Sequence, residues 1–108
     1  MSRPHYLTPE HHENIIIDNV RSERDHQDRL WGPLPRGLSN GHWLAVLTEE
    51  VGEVAREIVE NPERATLPIV NELVQVAAVA QAWAADLLLE VTLNVDVERD
   101  SPGEQGDD

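Results

Sequence analysis

The chain has 108 residues and a mass of 12.1 kDa, which is the size of a single domain. Its 21 acidic residues outnumber 8 basic residues, and the resulting formal net charge of −13 repels nucleic-acid phosphates, so we expect no nucleic-acid partner. The absence of cysteine and lysine from the sequence excludes thiol catalysis, disulfides, cysteine-ligated zinc, Schiff-base lysines and a lysine-bearing phosphate loop.

The sequence predicts a soluble, cytoplasmic protein. No run of about 18 apolar residues is free of polar side chains, so no membrane span is expected. The N-terminus, Met1 to Tyr6, lacks the charged-then-apolar layout of a signal peptide. We therefore interpret residues 1–8 as a short N-terminal arm that precedes the folded domain.

The first predicted helix runs from Pro9 to Trp31. Thr8 is a suitable N-cap residue, and proline suits the first helical position because that position needs no backbone N–H donor. The glycine- and proline-rich stretch 32–41 follows directly, and this composition predicts a loop.

The second predicted helix follows that loop and ends at Asn61-Pro62. Its apolar residues recur at the helical period and form one stripe: Trp43, Leu47, Val51, Val54 and Ile58.

The third predicted helix starts at Thr66 or Leu67 and runs to about Leu89. It is apolar almost all round, with few strongly polar side chains: Asn71, Glu72, Gln75, Gln81 and Asp86. Two other helices of about twenty residues cannot cover it, so identical chains are the simplest source of the missing cover. The sequence thus predicts an all-α, three-helix subunit that forms an oligomeric helical bundle, either a homodimer or a tetramer.

Beyond Leu89 the pattern changes, and two interpretations of it stay open. Apolar and polar residues alternate over 91–98, which fits a short fourth, strand-like element or the frayed end of the helix. From residue 96 to residue 108 acids dominate, and this composition predicts a disordered, solvated tail. The predicted helical domain therefore spans residues 9–95.

Three glutamates differ from the many that are expected on solvent-exposed helix faces. Glu50 lies at the edge of the apolar stripe of the second helix, and Glu72 is an isolated acid in an apolar helix. If the second and third helices pack antiparallel, Glu53 lies at the height of Glu72 and the three carboxylates converge. Pairs about 5 Å apart repel by roughly 3 kcal/mol at an effective dielectric constant near 20, so Mg²⁺ or Mn²⁺ is the expected occupant. Gln75, one turn after Glu72, offers a neutral oxygen to the same place.

An alternative interpretation needs no metal. Arg24 or Arg29 of the first helix would pair with Glu72 and Gln75 in a satisfied buried network. The sequence alone does not choose between this network and the cation site.

Three strings follow one another in this chain: ERDHQDRLWG at Glu23 to Gly32, WLAVLTEEVGEVA at Trp43 to Ala55, and NELVQVAAVAQAW at Asn71 to Trp83. Together they resemble the MazG-like nucleoside triphosphate pyrophosphatases. The family is marked by E-E-x-x-E followed by E-x-x-D, and the likeness covers most of the predicted domain.

The resemblance implies a homo-oligomeric helical bundle that hydrolyses a nucleoside triphosphate to the monophosphate and pyrophosphate with Mg²⁺ or Mn²⁺. Carried over by position, Glu50 and Glu53 match the E-x-x-E metal ligands, Glu49 matches the preceding acid, and Glu72 matches the first residue of E-x-x-D. Glu49 or Glu53 would orient the attacking water. Gln75 stands where the family has aspartate, which removes one negative charge from the ligand set.

The nucleoside is expected between the first helix and the start of the second. Gln27 offers an amide donor and acceptor to a base edge, and Trp31 and Trp43 offer stacking surfaces. Arg24, one turn before Gln27, would meet a phosphate or pair with an acid. The alternative for the two tryptophans is a role in the core.

A second function is consistent with the same residues. Because Gln75 is neutral, the bundle would keep nucleotide or metal affinity while losing turnover, and it would then act as a binding module or accessory protein.

Overall fold

The structure, a computed structural model, describes residues 8–61, 63 and 65–100, with side chains described as far as Leu93. It contains three helices: α1 (Pro9–Trp31), α2 (Asn40–Glu60) and α3 (Thr66–Asp100). No strand occurs among the described residues. The predicted all-α, three-helix subunit is confirmed, and the oligomeric bundle stays a prediction.

Local capping signals set the ends of α1, and its predicted bounds are confirmed. The Thr8 side chain accepts a hydrogen bond of 3.2 Å from the backbone N–H of His11, which satisfies one of the free donors of the first turn. At the other end Gly32 adopts a φ of 92°, in the left-handed region that glycine enters without a Cβ penalty. Its N–H donates to the carbonyl of Asp28 at 2.9 Å and closes the helix.

The α2 helix runs antiparallel to α3. Its start, capped by the Ser39 hydroxyl, lies beside the second half of α3, where the Trp83 indole donates to the Asn40 side chain at 3.0 Å. Its end at Glu60 joins the start of α3 through a short connection. The predicted stop at Asn61 is confirmed, since Asn61 caps the helix.

The core lies along α3, which packs against both other helices, whereas α1 and α2 make little contact with each other. Against α1, Val74 and Ala78 pack on Val20. Against α2, Val79 and Ala82 pack on Trp43. The two alanines have no exposed surface, and their small side chains let both neighbouring helices approach closely.

The third helix is longer than predicted. It continues through the alternating stretch 91–98 to Asp100, so the strand-like interpretation is wrong and the predicted helix end near Leu89 lies too early. No glycine or proline lies between Leu89 and Pro102 in the sequence, so each residue that extends the helix adds a helical hydrogen bond. Residues 1–7 of the predicted N-terminal arm and residues 101–108 of the predicted tail lie outside the described residues, whereas residues 96–100 of that tail belong to α3.

Much apolar surface of α3 is exposed in the single chain. Within the described residues, one helical stretch, Thr66–Leu93, is long and apolar enough to cross a bilayer by length and composition. In its most apolar 18-residue segment, 22% of the residues are buried. One such helix is weak evidence for a membrane span, because core helices of soluble proteins pass the same test. The polar residue Asp86 of this stretch is turned inward and bonded to other parts of the protein.

Candidate functional site

A cavity of about 420 Å³ lies where the end of α1, the following loop and the start of α2 meet α3. Its volume falls within the range of small-molecule sites, which is about 300–1,000 Å³. Its walls combine indole rings, a guanidinium, two carboxylates and aliphatic side chains: Trp31, Arg36, Leu38, His42, Trp43, Val46, Glu49, Glu50 and Val79. Aromatic surface and charge of both signs therefore line one cavity.

Arg36 is fixed in the cavity wall. Its guanidinium carbon lies 5.8 Å from the ring centre of Trp31 and 5.6 Å from that of Trp43, which is cation–π distance for both indoles. Its Nε donates to the Gly32 carbonyl at 2.9 Å, and its Nη2 contacts the Asp28 carboxylate at 2.6 Å. The side chain is only 6% exposed, so these contacts hold it in one position.

Asp86 anchors this wall to α3. Its carboxylate accepts a hydrogen bond of 3.2 Å from the indole N–H of Trp43 and one of 3.3 Å from the backbone N–H of Arg36. Asp86 is 8% exposed and Trp43 is 2% exposed, so neither partner has water as a ready substitute. One buried carboxylate thus ties the loop and α2 to the central helix.

The carboxylates form the second part of the site. Burial raises the pKa of Glu50 above its ordinary value, and the negative charges of nearby glutamates raise it further: Glu72, Glu49, Glu53 and Glu23. These residues come from all three helices. The Oε2 atom of Glu50 is buried and has no hydrogen-bond partner. Such a group is costly unless a proton or a cation satisfies it.

The donor chemistry of this group fits Mg²⁺ or Mn²⁺, which prefer carboxylate and amide oxygens. The unpartnered oxygen of Glu50 is the specific observation that supports this fit. The carboxylates do not yet surround one point, however, because no group of three or more histidine, aspartate or glutamate side chains in the described part of the chain is close enough to hold a metal ion. Mutual repulsion keeps uncompensated carboxylates apart, so we expect ligands to move inward when a cation binds.

The predicted cation ligands do not all line one cavity. Glu50 lines the cavity, as does its neighbour Glu49. Glu53, half-buried, lies 3.5 Å from Arg56, one turn later on α2. Gln75 faces α1 and lines a second cleft of about 330 Å³, which is bordered mostly by polar side chains: Asn19, Ser22, Glu23, Asn71, Val74 and Gln75.

The predicted nucleoside-binding residues also take different places. Trp31, 56% exposed, and the buried Trp43 both line the cavity. Gln27 is turned inward as predicted, but it does not line the cavity, and its Nε2 donates to the Glu23 carboxylate at 3.2 Å. Arg24 pairs with Asp28 at 3.0 Å, the same carboxylate that holds Arg36.

The alternative arginine network is not formed in the part of the chain that the structure describes. Among the described residues, the ion pairs are Arg24–Asp28, Arg36–Asp28 and Arg56–Glu53. None of these pairs involves Glu72, so the arrangement leaves its charge to repel Glu50.

Sequence reasoning missed three residues of the site. Arg36 lies in the loop between the two candidate tryptophans, and this position in the sequence could have indicated that it lies near both indoles. Asp86 is an acid in an apolar helix, so the argument that singled out Glu72 applies to it equally. Glu23 carries no such signal, because its place depends on how α1 is rotated against α3.

Comparison of the chain with family models, with curated proteins and with solved structures finds no match.

Proposed function

We propose that the protein hydrolyses a nucleoside triphosphate to the monophosphate and pyrophosphate, as the resemblance to MazG-like pyrophosphatases implies. The observation that carries the proposal is a single cavity in which two indoles and a fixed arginine adjoin Glu50, whose buried oxygen lacks a partner. Aromatic surface suits a base, and uncompensated carboxylates suit the cation that accompanies a triphosphate.

The nucleoside would lie against the indole wall. Trp31 is half exposed and offers a ring face for stacking, whereas Trp43 is buried and forms the rear of the cavity. Arg36 adds N–H donors for acceptor atoms of the ligand. Arg24 would not contact the nucleoside. It pairs with Asp28, and the same carboxylate pairs with Arg36, so Arg24 would help to keep Arg36 in position.

Glu50, Glu53 and Glu72, with the Gln75 oxygen, would hold Mg²⁺ or Mn²⁺. When bound, the ion neutralises phosphate charge and lowers the pKa of water. Glu49 is exposed at the cavity wall. It would accept a hydrogen bond from the attacking water, and Glu53 is the second candidate for this role.

Activity of the purified chain tests this proposal. A panel of nucleoside triphosphates is incubated with Mg²⁺ or Mn²⁺, and pyrophosphate and monophosphate are measured separately. Replacing Glu50 with glutamine should lower kcat/KM at least about 100-fold, because a charged group at the reacting phosphates is worth several kcal/mol. Glu60→Gln, an exposed change on the same helix, is the matched control. No turnover of any triphosphate with either metal would overturn the enzyme proposal.

A nucleotide-binding module without turnover is the second candidate. It is favoured by the neutral Gln75 and by the absence, within the described residues, of three acidic or histidine side chains gathered at one point. This candidate predicts that a triphosphate with Mg²⁺ raises the melting temperature while no product forms. A shift accompanied by pyrophosphate release would refute it.

We further propose that the protein works in the cytoplasm as a homodimer or tetramer. Support comes from large exposed apolar side chains along α3, which a second copy would cover: Leu67, Leu73, Leu87, Leu88, Leu89, Val91 and Leu93. Light scattering coupled to size exclusion chromatography tests the oligomeric state. A monomer at micromolar concentration would overturn it.

A further inference from the structure

Glu23 occupies a place that the proposed reaction does not yet use. It is half-buried on the side of α1 that faces α3, and it shares the second cleft with Gln75. Gln75 is the position where the family resemblance leads one to expect an acid. A carboxylate from another helix therefore borders the same cleft as the neutral side chain.

A buried glutamine holds the Glu23 carboxylate. Gln27 is 2% exposed, and its Nε2 donates to Glu23 Oε2 at 3.2 Å across one turn of α1. The Oε1 atom of the same amide is buried and has no hydrogen-bond partner. The amide that bonds the Glu23 carboxylate through its nitrogen therefore carries an unsatisfied carbonyl oxygen. A buried acceptor without a partner calls for a cation or a donor.

The charges around Glu23 point the same way. In addition to burial, the negative charge of Glu23 helps to raise the pKa of Glu50 on α2, and the charge of Glu72 on α3 acts in the same direction. The arginines in the ion pairs of the described residues are committed to Asp28 and Glu53. In the described part of the chain, no ion pair therefore involves Glu23, Glu50 or Glu72.

We propose that Glu23 is a further ligand for the divalent cation, supplied by α1, and that it provides the negative charge that Gln75 lacks. The proposal rests on the proposed function, because it concerns the same cation. Gln27 is a positioning residue in this arrangement: it orients the carboxylate of Glu23. The cation site then draws on all three helices instead of on α2 and α3 alone.

Binding of Mn²⁺ to the full chain, followed by electron paramagnetic resonance of the free ion, tests this proposal without any measurement of turnover. Glu23→Gln should weaken binding at least about 10-fold, since loss of even an outer-shell partner costs about 10–100-fold in metal affinity. Gln27→Leu should weaken it less. Glu13→Gln, an exposed change on the same helix, is the matched control and should bind as the wild type does.

An exchange of charge sharpens the test. Adding Gln75→Asp to the Glu23→Gln variant should restore most of the lost affinity, because the charge returns to the same cleft. Gln75→Asp alone should tighten Mn²⁺ binding, and this measurement remains informative if Glu23→Gln does not fold by circular dichroism.

The outcomes separate the two proposals. If the wild type binds Mn²⁺, Glu50→Gln weakens binding and Glu23→Gln behaves as Glu13→Gln does, the role of Glu23 is refuted and the proposed function stands. If Gln75→Asp neither restores nor tightens binding, the exchange of charge is refuted. A wild-type chain that binds no Mn²⁺ overturns both the ligand role and the metal-dependent function.

Discussion

Replacing Asp86 with alanine should destabilise the protein by about 2–6 kcal/mol. The carboxylate accepts from the Trp43 indole at 3.2 Å and from the Arg36 backbone at 3.3 Å, and its loss leaves both donors without a partner. A buried donor left unsatisfied costs about 1–3 kcal/mol, and two donors set the range. Because Trp43 is 2% exposed, water cannot replace the carboxylate without opening the cavity wall. Small domains have a free energy of unfolding of about 5–15 kcal/mol, so this loss is a large fraction of it.

Urea unfolding followed by circular dichroism measures the effect, with an unchanged m value as the check that both proteins unfold in the same way. Asp86→Asn, which keeps one acceptor, should fall between the wild type and Asp86→Ala. Combining Asp86→Ala with Trp43→Phe should cost about 1–2 kcal/mol less than the two single changes together, because Phe lacks the donor. Glu90→Ala, exposed on the same helix, should be nearly neutral. An Asp86→Ala protein within about 0.5 kcal/mol of the wild type would refute the anchoring role.

Three further predictions concern the charges and the core. Burial and then the neighbouring carboxylates raise the pKa of Glu50 in the folded protein above its ordinary 4.5, so the folded state holds this proton more tightly than the unfolded chain does. Metal-free Glu50→Gln should therefore melt at a higher temperature than the wild type at pH 7.5, and the difference should shrink as the pH falls towards 4.5; a constant difference would contradict this. Arg36→Lys should lose about 1–3 kcal/mol of stability in urea unfolding, because lysine cannot make the Nε and Nη2 bonds together, and equal stability would contradict the fixed guanidinium. Ala78→Leu should cost about 1–3 kcal/mol by overfilling the α1–α3 contact, whereas Ala80→Leu, on the exposed side, should cost little; equal effects of the two would count against the packing described for α1.

Three ends of the first two helices were predictable because their signals are local, whereas α2 begins at Asn40, inside the stretch 32–41 that was predicted as a loop. Thr8 before Pro9, the glycine at position 32 and Asn61 before a proline each act through their own backbone and nearest neighbours. The end of α3 was not predictable in this way. Its alternating apolar residues after Leu89 resemble a strand, and only continuity with the long preceding helix decides for the helical state.

The residues of the candidate site differ in the same way: some are indicated by local sequence patterns, and others depend on how the helices and the loop pack. Glu50 and Glu72 were singled out because a charged residue beside or within an apolar pattern is costly unless it has a partner or a ligand. That argument uses the pattern of one helix at a time, and the metal-binding role of both residues stays a prediction. Arg36 was missed because the loop that folds it between two indoles has no periodic pattern. Gln75 and Glu23 share a cleft only through the rotation of α3 against α1, which single-helix patterns do not specify.

Since α1 and α2 both pack on α3 and contact each other little, the two outer helices are expected to open independently in native-state hydrogen exchange. The amides of α3 around Ala78 and Ala82 should then exchange slowest, because either outer helix still protects one side. Opening of α1 carries Glu23 and Gln27 away from α3 while leaving Glu50 beside it. A ligand that needs both outer helices would slow exchange in α1 most, and binding would be coupled to the docking of that helix.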